Sequence, residues 1–530
     1  MNLERKSGIL LHPTSLADSY GIGTIGKSAY KFIDWLVKAN QSLWQILPLG
    51  PTGYGDSPYA SFSTFAGNPL LIDLDLLVEK GWAKKSSIKA PDYIKKNGPV
   101  DFGAVVWWKI PVLKDSALYF LEKAPEEDLK SFKRFCKEKS DWLDKFASFM
   151  SIKSYYDLKS QEENVTSSMW NQYWPKELAC CDEVAVQNWN KNHSQDILVY
   201  KVIQFFFDFQ WAELKKYANE NGISLIGDIP IFVAPDSADV WANQKYFQLE
   251  EDGRLKSLAG VPPDYFSADG QLWGNPLYDW DAMKKSCYDW WVKRIKRVFE
   301  LTDILRIDHF RGFEAYWSVP AGEKTAINGK WIKGPGMDLF KTIRKKCGDL
   351  PIIAEDLGVI TEEVKELRDQ AGLPGMKVLQ FAFSSGEIEE KGMTNYFMPH
   401  MFDTDNCVVY TGTHDNDTLQ GWLENCQDSL LITLANYFMG KAHSLEQAKS
   451  LCVSGKLRWA MIRSAFSSVA KIAIIPMQDI IGIDNEGRMN KPSTTGANWV
   501  WRMNPNDLKE KAAVELSSMS KLYGRNFTKN

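Results

Sequence analysis

Segments with the pattern of β-strands alternate with segments of helical periodicity along most of this chain. The clearest example begins with the apolar run 351–355 and continues with a helical pattern that starts at Thr361 and stops at Gly372. A second apolar run, 376–383, follows at once. A strand, a helix and a further strand in this order form a βαβ unit, whose two strands pair in parallel.

The same alternation recurs often enough to predict a complete barrel. Apolar residues at helical spacing, such as Trp291, Ile295 and Val298, precede several of the apolar runs. The predicted strands number eight and cover 8–12, 43–49, 223–229, 303–308, 351–355, 376–381, 407–413 and 471–477. Eight parallel strands with helices between them predict an α/β protein with a (β/α)8 TIM barrel.

The spacing between the predicted strands is uneven, which indicates two insertions within a single barrel domain over 1–530. Far more residues than one helix needs separate the second strand from the third, and we expect 50–222 to contain a mostly helical subdomain. The stretch 233–280, between the third and fourth strands, is rich in Gly, Pro and aromatic residues. We expect this stretch to form an aromatic lid over the barrel mouth, because long loops often carry function.

Composition excludes several classes of protein. Hydrophobic residues make up 44% and charged residues 25%, a globular balance, and the net charge of −4 predicts neither a nucleic-acid partner nor a membrane surface. No apolar stretch is long enough to span a membrane, and the first residues lack the pattern of a secretory signal. The eight Cys are scattered without metal-binding spacing, so we expect free thiols in a reducing cytoplasm.

Acidic residues stand at the ends of four predicted strands: Asp228, Asp308, Glu355 and Asp415. A lone acid in such a position is most often a helix cap or a turn residue, and Asp228 best fits a structural role. Four acids around one mouth are harder to explain in that way, because barrel enzymes carry their chemistry at the carboxyl ends of the strands.

The fourth strand places a charged pair inside the barrel. Side chains alternate between the two faces of a strand, so Arg306 and Asp308 both face the barrel axis while Leu305 and Ile307 face the helices. One interpretation is a buried structural ion pair. The other is that Arg306 favours the charged form of Asp308, which would suit a nucleophile.

Glu355 is expected to have the opposite character. The apolar residues before it predict desolvation, which raises the pKa of a carboxyl group and suits a proton donor. One ionised and one protonated carboxyl group are what glycosidic bond cleavage requires. Asp415 would supply a third carboxylate that contacts sugar hydroxyls.

The strand ends also carry motifs that resemble a known family. RIDHFRG (306–312), AEDLG (354–358) and THDN (413–416) resemble the strand-end motifs of the α-amylase clan. Further segments narrow the resemblance to the 4-α-glucanotransferases of glycoside hydrolase family 77, also called amylomaltases or disproportionating enzymes. These segments are GILLHPTSL (8–16), YGIGTIG (20–26), DSPYASFSTFAGNPLLID (56–73), GDIPIFVAPDSADVW (227–241), AGVPPDYFSADGQLWGNPLYDW (259–280) and RMNKPSTTGANWVWR (488–502).

The resemblance implies a role for each matching residue. Asp308 matches the family nucleophile, Glu355 the general acid/base and Asp415 the third carboxylate that stabilises the transition state. The residues expected to bind substrate are Ser57 and Tyr59 in the SPY segment, Arg306, His309 and His414 around the cleaved sugar, and Asp264, Phe266 and Trp273 in a loop over the acceptor side. No metal and no cofactor are implied.

The implied activity is the transfer of α-1,4-glucan segments between maltooligosaccharides, starch or glycogen fragments, by a cytoplasmic monomer or weak homo-oligomer. An α-glucan hydrolase of the same fold is one alternative. A metal-dependent barrel lyase is another, since Asp228, Asp308 and Glu355 resemble a divalent-cation site, although Arg306 already supplies positive charge there. The third alternative is a glucan-binding protein without catalysis, which the intact set of acids disfavours.

Overall fold

The computed structural model describes residues 4–53, 55–263, 267–384, 391–494 and 496–525. Within these ranges the chain forms twelve strands: β1 (Lys6–Leu10), β2 (Leu43–Gln45), β3 (Ser224–Pro230), β4 (Ser257–Val261), β5 (Gln271–Pro276), β6 (Ile304–Asp308), β7 (Ala315–Pro320), β8 (Lys330–Lys333), β9 (Ile352–Ala354), β10 (Gly375–Val378), β11 (Cys407–Tyr410) and β12 (Ile472–Pro476).

Eight of these strands form a parallel barrel in the order β10-β11-β12-β1-β2-β3-β6-β9. A hydrogen bond of 2.9 Å from the Ala354 N–H to the Pro374 carbonyl brings the two ends of the sheet together. The predicted (β/α)8 barrel is therefore confirmed. β2 ends at Gln45 and β10 at Val378, earlier than predicted. The residues after β2 have irregular backbone, and those after β10 form a turn and then the 3-10 helix Phe381–Phe383.

The helices in the described residues are α1 (Lys27–Lys38), α2 (Leu74–Glu79), α3 (Phe102–Lys123), α4 (Glu126–Glu138), α5 (Ser140–Glu162), α6 (Trp170–Tyr173), α7 (Lys176–Ala179), α8 (Glu183–Asn192), α9 (Ser194–Glu220), α10 (Ala238–Ala242), α11 (Trp280–Lys285), α12 (Asp289–Leu301), α13 (Met337–Cys347), α14 (Glu362–Ala371), α15 (Leu419–Asn425), α16 (Asp428–Met439), α17 (Leu445–Val453), α18 (Lys456–Ser467), α19 (Met477–Ile481) and α20 (Glu510–Leu522). None of the helices in these ranges combines the length and the apolar character needed to cross a membrane.

The barrel helices bury the apolar stripes that their sequences predict. In α12 the buried residues include Trp291, Ile295 and Val298, which share one helical face. In α14, Thr361 is the N-cap residue and Gly372 closes the helix in the left-handed conformation, with φ of 71°. Glycine is favoured there because a side chain would clash with the backbone at positive φ.

The helices α2 to α9 all lie between β2 and β3 in sequence. The last of them, α9, packs against both the barrel and the preceding helical region. Near its C-terminus the Trp211 indole N–H donates to the Leu301 carbonyl at 2.7 Å, at the end of a barrel helix. Nearer its N-terminus, Phe205 and Phe206 pack against Trp82 and Phe120 of the preceding helical region. The assignment of 50–222 to a separate subdomain stays a prediction.

A second sheet is antiparallel and has the order β5-β4-β7-β8. The stretch 233–280 supplies β4 and β5, whereas β7 and β8 follow the barrel strand β6 and were not predicted. These two strands pair with each other and bring the rings of Trp317 and Trp331 to 5.1 Å between centroids, while β7 also pairs with β4, which is distant in sequence. Since β7 starts soon after the carboxyl end of β6, this sheet stands at the barrel mouth.

Candidate active site

The strand register places the predicted carboxyl groups side by side. Ile307 is the parallel partner of Ala354, so the residues that follow, Asp308 and Glu355, are neighbours on adjacent strands. Adjacent strands lie about 4.8 Å apart. The Glu355 N–H donates to the Ile307 carbonyl at 3.0 Å, which extends the pairing to the strand end. Both side chains therefore stand in one row at the mouth of the barrel.

Arg306 holds two carboxylates with one guanidinium group. Its Nη1 lies 2.6 Å from Asp228 Oδ2, and its Nη2 lies 2.8 Å from Asp308 Oδ1. Burial, which leaves Arg306 3% exposed, disfavours its charge, but the carboxylates of Asp228 and Asp308 outweigh burial and raise its pKa above the ordinary value. The prediction that Arg306 and Asp308 both face the barrel axis is confirmed, and the guanidinium fixes the orientation of Asp308.

Glu355 has a different environment. Burial and then the charge of Asp308 raise its pKa to about 8, against the opposing effects of Arg306 and of two backbone donors. Those donors are the His309 N–H, 2.6 Å from Oε2, and the Leu357 N–H, 2.8 Å from Oε1. The predicted desolvation of this carboxyl group is confirmed. Near neutral pH, Glu355 holds a proton beside a carboxylate that is paired with Arg306.

His309 adopts the left-handed conformation, with φ of 56°, at the start of the 3-10 helix Phe310–Phe313. This conformation is uncommon for a residue other than glycine and is found at functional sites. It directs the backbone N–H of His309 to Glu355. Burial lowers the pKa of the imidazole to about 4, and Nε2 is buried without a hydrogen-bond partner among the described residues.

Tyr59 contacts Asp228, at the buried bottom of the site, and His414, the residue that precedes Asp415. Its hydroxyl donates to Asp228 Oδ2 at 2.9 Å, and its ring stacks on His414 with 5.0 Å between centroids. Burial raises the pKa of Asp228 to about 6, although Arg306 opposes this shift. The Asp228 carboxylate is inaccessible to solvent, which agrees with a supporting role. The Ser57 hydroxyl accepts the Tyr59 N–H at 3.3 Å, a local turn contact, and its binding role stays a prediction.

Asp415 lies on the loop after β11 with its side chain 44% exposed. Its Oδ1 lies 3.4 Å from His414 Nε2 and accepts a 2.7 Å hydrogen bond from the Asn490 amide. Asn490 belongs to a segment that carries the family resemblance, but it was not predicted as a site residue. Only the folding of this segment against the β11 loop reveals the contact.

The second sheet brings an aromatic ring to the same mouth. Trp273 of β5 is 38% exposed and meets the His309 ring edge-on, with 4.7 Å between centroids. Arg311 joins the sheet to the loop after Glu355, since its guanidinium lies 3.8 Å from the Trp331 ring centroid and donates to the Val359 carbonyl. The predicted substrate contacts Asp264 and Phe266 lie outside the described residues.

The described acidic side chains at this mouth do not form a metal site. Within the ranges that the structure describes, no group of three or more His, Cys, Asp or Glu side chains is arranged to hold a metal ion. Asp228 and Asp308 instead share the guanidinium of Arg306.

Comparison with known proteins places this geometry in a family. The sequence model of the 4-alpha-glucanotransferase family matches residues 11–509. This chain belongs to the 4-alpha-glucanotransferase family. It is 46% identical over 528 residues to the 4-alpha-glucanotransferase of Synechocystis sp., covering 98% of both chains, and 43% identical over 523 residues to that of Streptococcus pneumoniae, again covering 98% of both.

A solved structure agrees with these relatives of the 4-alpha-glucanotransferase family. The amylomaltase from Streptococcus agalactiae, in complex with acarbose, superposes with a TM-score of 0.90 at 39% identity. The match covers 99% of this chain and 100% of that one. The resemblance drawn from the strand-end motifs is confirmed, and membership of the 4-alpha-glucanotransferase family makes the protein a glycosyltransferase-type enzyme.

Proposed function

We propose that this enzyme moves α-1,4-glucan segments from a donor chain to the 4-hydroxyl group of an acceptor glucan or glucose, through a covalent intermediate on Asp308. One observation carries the proposal: Asp308 and Glu355 are neighbours at the barrel mouth, the first paired with Arg306 and the second with its pKa raised to about 8. An anionic nucleophile beside a protonated acid is the arrangement that retaining glycosidic cleavage needs.

In the first step, Glu355 gives its proton to the O4 atom of the leaving glucan while Asp308 attacks the anomeric carbon. The glycosidic bond breaks, the donor segment becomes attached to Asp308 as an ester, and the shortened chain leaves with a new 4-hydroxyl group. Arg306 keeps the Asp308 carboxylate in place, since it contacts Oδ1 at 2.8 Å. The other Asp308 oxygen is then free for the attack.

In the second step, Glu355 is a carboxylate and acts as the base. It takes the proton from the 4-hydroxyl group of an acceptor, whose oxygen attacks the anomeric carbon and releases Asp308. The new α-1,4 bond has the original configuration because each step inverts the anomeric centre once. Glu355 has regained its proton, so the enzyme is ready for another cycle.

The remaining site residues would hold the sugar at the cleavage point. Asp415 and His414 would form hydrogen bonds with sugar hydroxyl groups, and so would the buried His309 Nε2, which has no hydrogen-bond partner among the described residues. We propose that 233–280 forms a wall over the mouth and that 50–222 contains an inserted helical subdomain that supports it. Trp273 would then face the acceptor side.

Transfer has to compete with hydrolysis. Water is present at about 55 M and an acceptor glucan at millimolar concentration, so transfer needs a preference of roughly 10⁴, or about 5.5 kcal/mol. Orientation of a bound acceptor can supply a preference of this size. Stacking of an acceptor sugar on the half-exposed ring of Trp273 is the source that we propose.

The names of relatives support glucans as the substrate class, since the Synechocystis protein is named a 4-alpha-glucanotransferase and the Streptococcus agalactiae amylomaltase was solved with acarbose. We further propose a cytoplasmic enzyme that works as a monomer or weak homo-oligomer. All eight cysteines are free thiols, which is typical of a reducing compartment.

Incubation with maltotriose and chromatography of the products tests the proposal. A glucanotransferase yields glucose together with a ladder of chains longer than maltotriose, whereas a hydrolase yields only shorter chains. The Asp308→Asn variant should lose both kinds of product, since it lacks the nucleophile. Products that are only shorter than maltotriose, or unchanged activity in Asp308→Asn, would overturn the proposal.

A further inference from the structure

The carboxylate of Asp415 is held by a segment that follows the last barrel strand. Asn490 Nδ2 donates to Asp415 Oδ1 at 2.7 Å, and the Asn490 N–H donates to the His414 carbonyl at 3.1 Å. One residue therefore contacts both the side chain of Asp415 and the backbone before it. The side-chain contact joins positions 75 residues apart in sequence.

Arg488 reinforces the same contact. Its Nη2 donates to the Asp415 carbonyl at 2.7 Å, and its Nε donates to the Asn490 carbonyl at 2.8 Å. The same guanidinium is paired with Asp417. The backbone of Asp415 and that of Asn490 are thus tied to one rigid planar group, so the distance between the two side chains is fixed by more than their own hydrogen bond.

The two carboxylate oxygens of Asp415 differ in the number of contacts that they make with the protein. Oδ1 has both described contacts, the Asn490 amide and His414 Nε2 at 3.4 Å, while the structure gives no contact for Oδ2 among the described residues. A carboxylate with one oxygen engaged has a defined plane. The second oxygen is then directed to substrate, where it can accept from the hydroxyl groups of a sugar.

The side-chain amide of Asn490 is an uncharged hydrogen-bond donor. Asn490 donates a hydrogen bond without adding charge, so the negative charge of Asp415 remains available to a sugar that becomes cationic during cleavage. A lysine at this position would compensate that charge, and an acid would repel it. A neutral donor is suited to orient a carboxylate whose charge is needed elsewhere.

We propose that Asn490 is a positioning residue for the transfer reaction, which fixes Asp415 so that Oδ1 is occupied by protein and Oδ2 faces the sugar. This inference rests on the proposed function, because it assumes that Asp415 acts on the sugar. It names a role for a residue outside the carboxylate set, and its failure can be separated from the failure of that function.

The decisive variant is Asn490→Asp, which keeps the shape of the side chain and replaces the donor by a carboxyl group. Two carboxyl groups at hydrogen-bond distance cannot both ionise at low cost, so the pair keeps one proton to a higher pH than a single carboxyl group. With that proton the introduced group donates to Asp415 as the amide does. Without it, the two charges repel and Asp415 turns away. His414 and Arg488 also face this pair.

The expected result is a pH signature in kcat/KM for maltotriose disproportionation. With the pair doubly ionised, the variant should fall about 10- to 100-fold below the wild type, the value of one hydrogen bond to a charged group. The ratio of variant to wild type should then rise about tenfold for each pH unit as the pH is lowered, until the pair has regained its proton. Asn490→Ala should show a similar fall with no recovery.

Asn219→Asp is the matched control. Asn219 Nδ2 donates to Asp303 Oδ2 at 2.8 Å, an asparagine–aspartate pair like that of Asn490 and Asp415, at the opposite end of the barrel before β6. Its activity should follow the wild type at every pH. Thermal unfolding of each variant shows whether the fold is kept.

The outcomes separate the two ideas. If Asn490→Asp equals the wild type, or falls by one constant factor at all pH values, Asn490 does not position Asp415. If Asn490→Asp does not fold, Asn490→Ala decides: a loss of tenfold or more in kcat/KM with an unchanged melting temperature supports the role, and activity within twofold of the wild type overturns it. A wild type that makes no longer chains contradicts the proposed function itself.

Discussion

Replacing Glu355 by glutamine should stabilise the protein, and the gain should depend on pH. The folded state raises the pKa of Glu355 from 4.5 to about 8. Between these values the folded chain binds more protons than the unfolded chain, so the free energy of unfolding falls as the pH rises through this window. The Glu355→Gln variant has no such proton to lose. The difference in the free energy of unfolding between Glu355→Gln and the wild type should therefore rise from pH 4.5 to about pH 8 and stay constant at higher pH.

The size of the effect follows from the same shift. The difference between 4.5 and about 8 corresponds to about 5 kcal/mol as an upper value. A chain of 530 residues has an unfolding entropy of about 1.1 kcal/mol per kelvin, so the melting temperature should change by about 4 °C at most. The glutamine amide also faces the N–H groups of His309 and Leu357 and loses one hydrogen bond, a cost of about 1–3 kcal/mol that does not vary with pH.

Differential scanning calorimetry of both proteins at pH values from 5 to 9, at one scan rate, measures this dependence. Glu366→Gln, at an exposed position of α14, is the control for the effect of replacing a glutamate by glutamine where the side chain is not buried. A difference in melting temperature between Glu355→Gln and the wild type that is constant with pH would refute the raised pKa. The wild-type kcat/KM should also fall about tenfold per pH unit above pH 8, because the first step of the proposed reaction needs the proton on Glu355.

Three further substitutions test other parts of the site and the fold. Trp273→Ala should lower the ratio of transfer to hydrolysis on maltotriose, because it removes the ring that we propose stacks on the acceptor, and an unchanged product ratio would contradict that role. The Arg306→Lys variant lacks the planar group that contacts both Asp228 and Asp308, so kcat should fall at least 100-fold in the same assay. A loss below tenfold would contradict the importance of this double contact. Arg525→Ala removes the buried hydrogen bonds that its guanidinium group donates to backbone carbonyl groups at the barrel base, among them those of Lys6 and Phe466. The melting temperature should therefore drop by several degrees while the kcat of the remaining folded enzyme is unchanged.

Much of the site could be predicted because strand periodicity is a local property. The alternation of side chains along β6 is sufficient to place Arg306 and Asp308 on one face, and the apolar residues before Glu355 are sufficient to predict its raised pKa. The barrel itself follows from apolar runs that alternate with helical patterns, each of which is set by burial within a few turns of chain.

The tertiary contacts that support these residues could not be predicted from the sequence in the same way. Tyr59 reaches Asp228 across 169 residues, and Asn490 reaches Asp415 across 75. The turn at His309, which delivers a backbone N–H to Glu355, depends on a left-handed conformation that a histidine adopts only when its surroundings impose it. The hairpin of β7 and β8 was missed for a related reason, since its partner strand β4 comes from a distant insertion.

The amino-acid sequence alone determined the barrel, the order of its strands and the acids at their ends, because the burial of apolar side chains and the two-residue repeat of a strand act over short distances. The tertiary structure decided which oxygens of these acids are engaged and which remain free, because barrel closure brings loops from opposite ends of the chain to one mouth. The charge state of Glu355 depends on both, since its apolar neighbours in sequence desolvate it and Asp308 on the adjacent strand raises its pKa further.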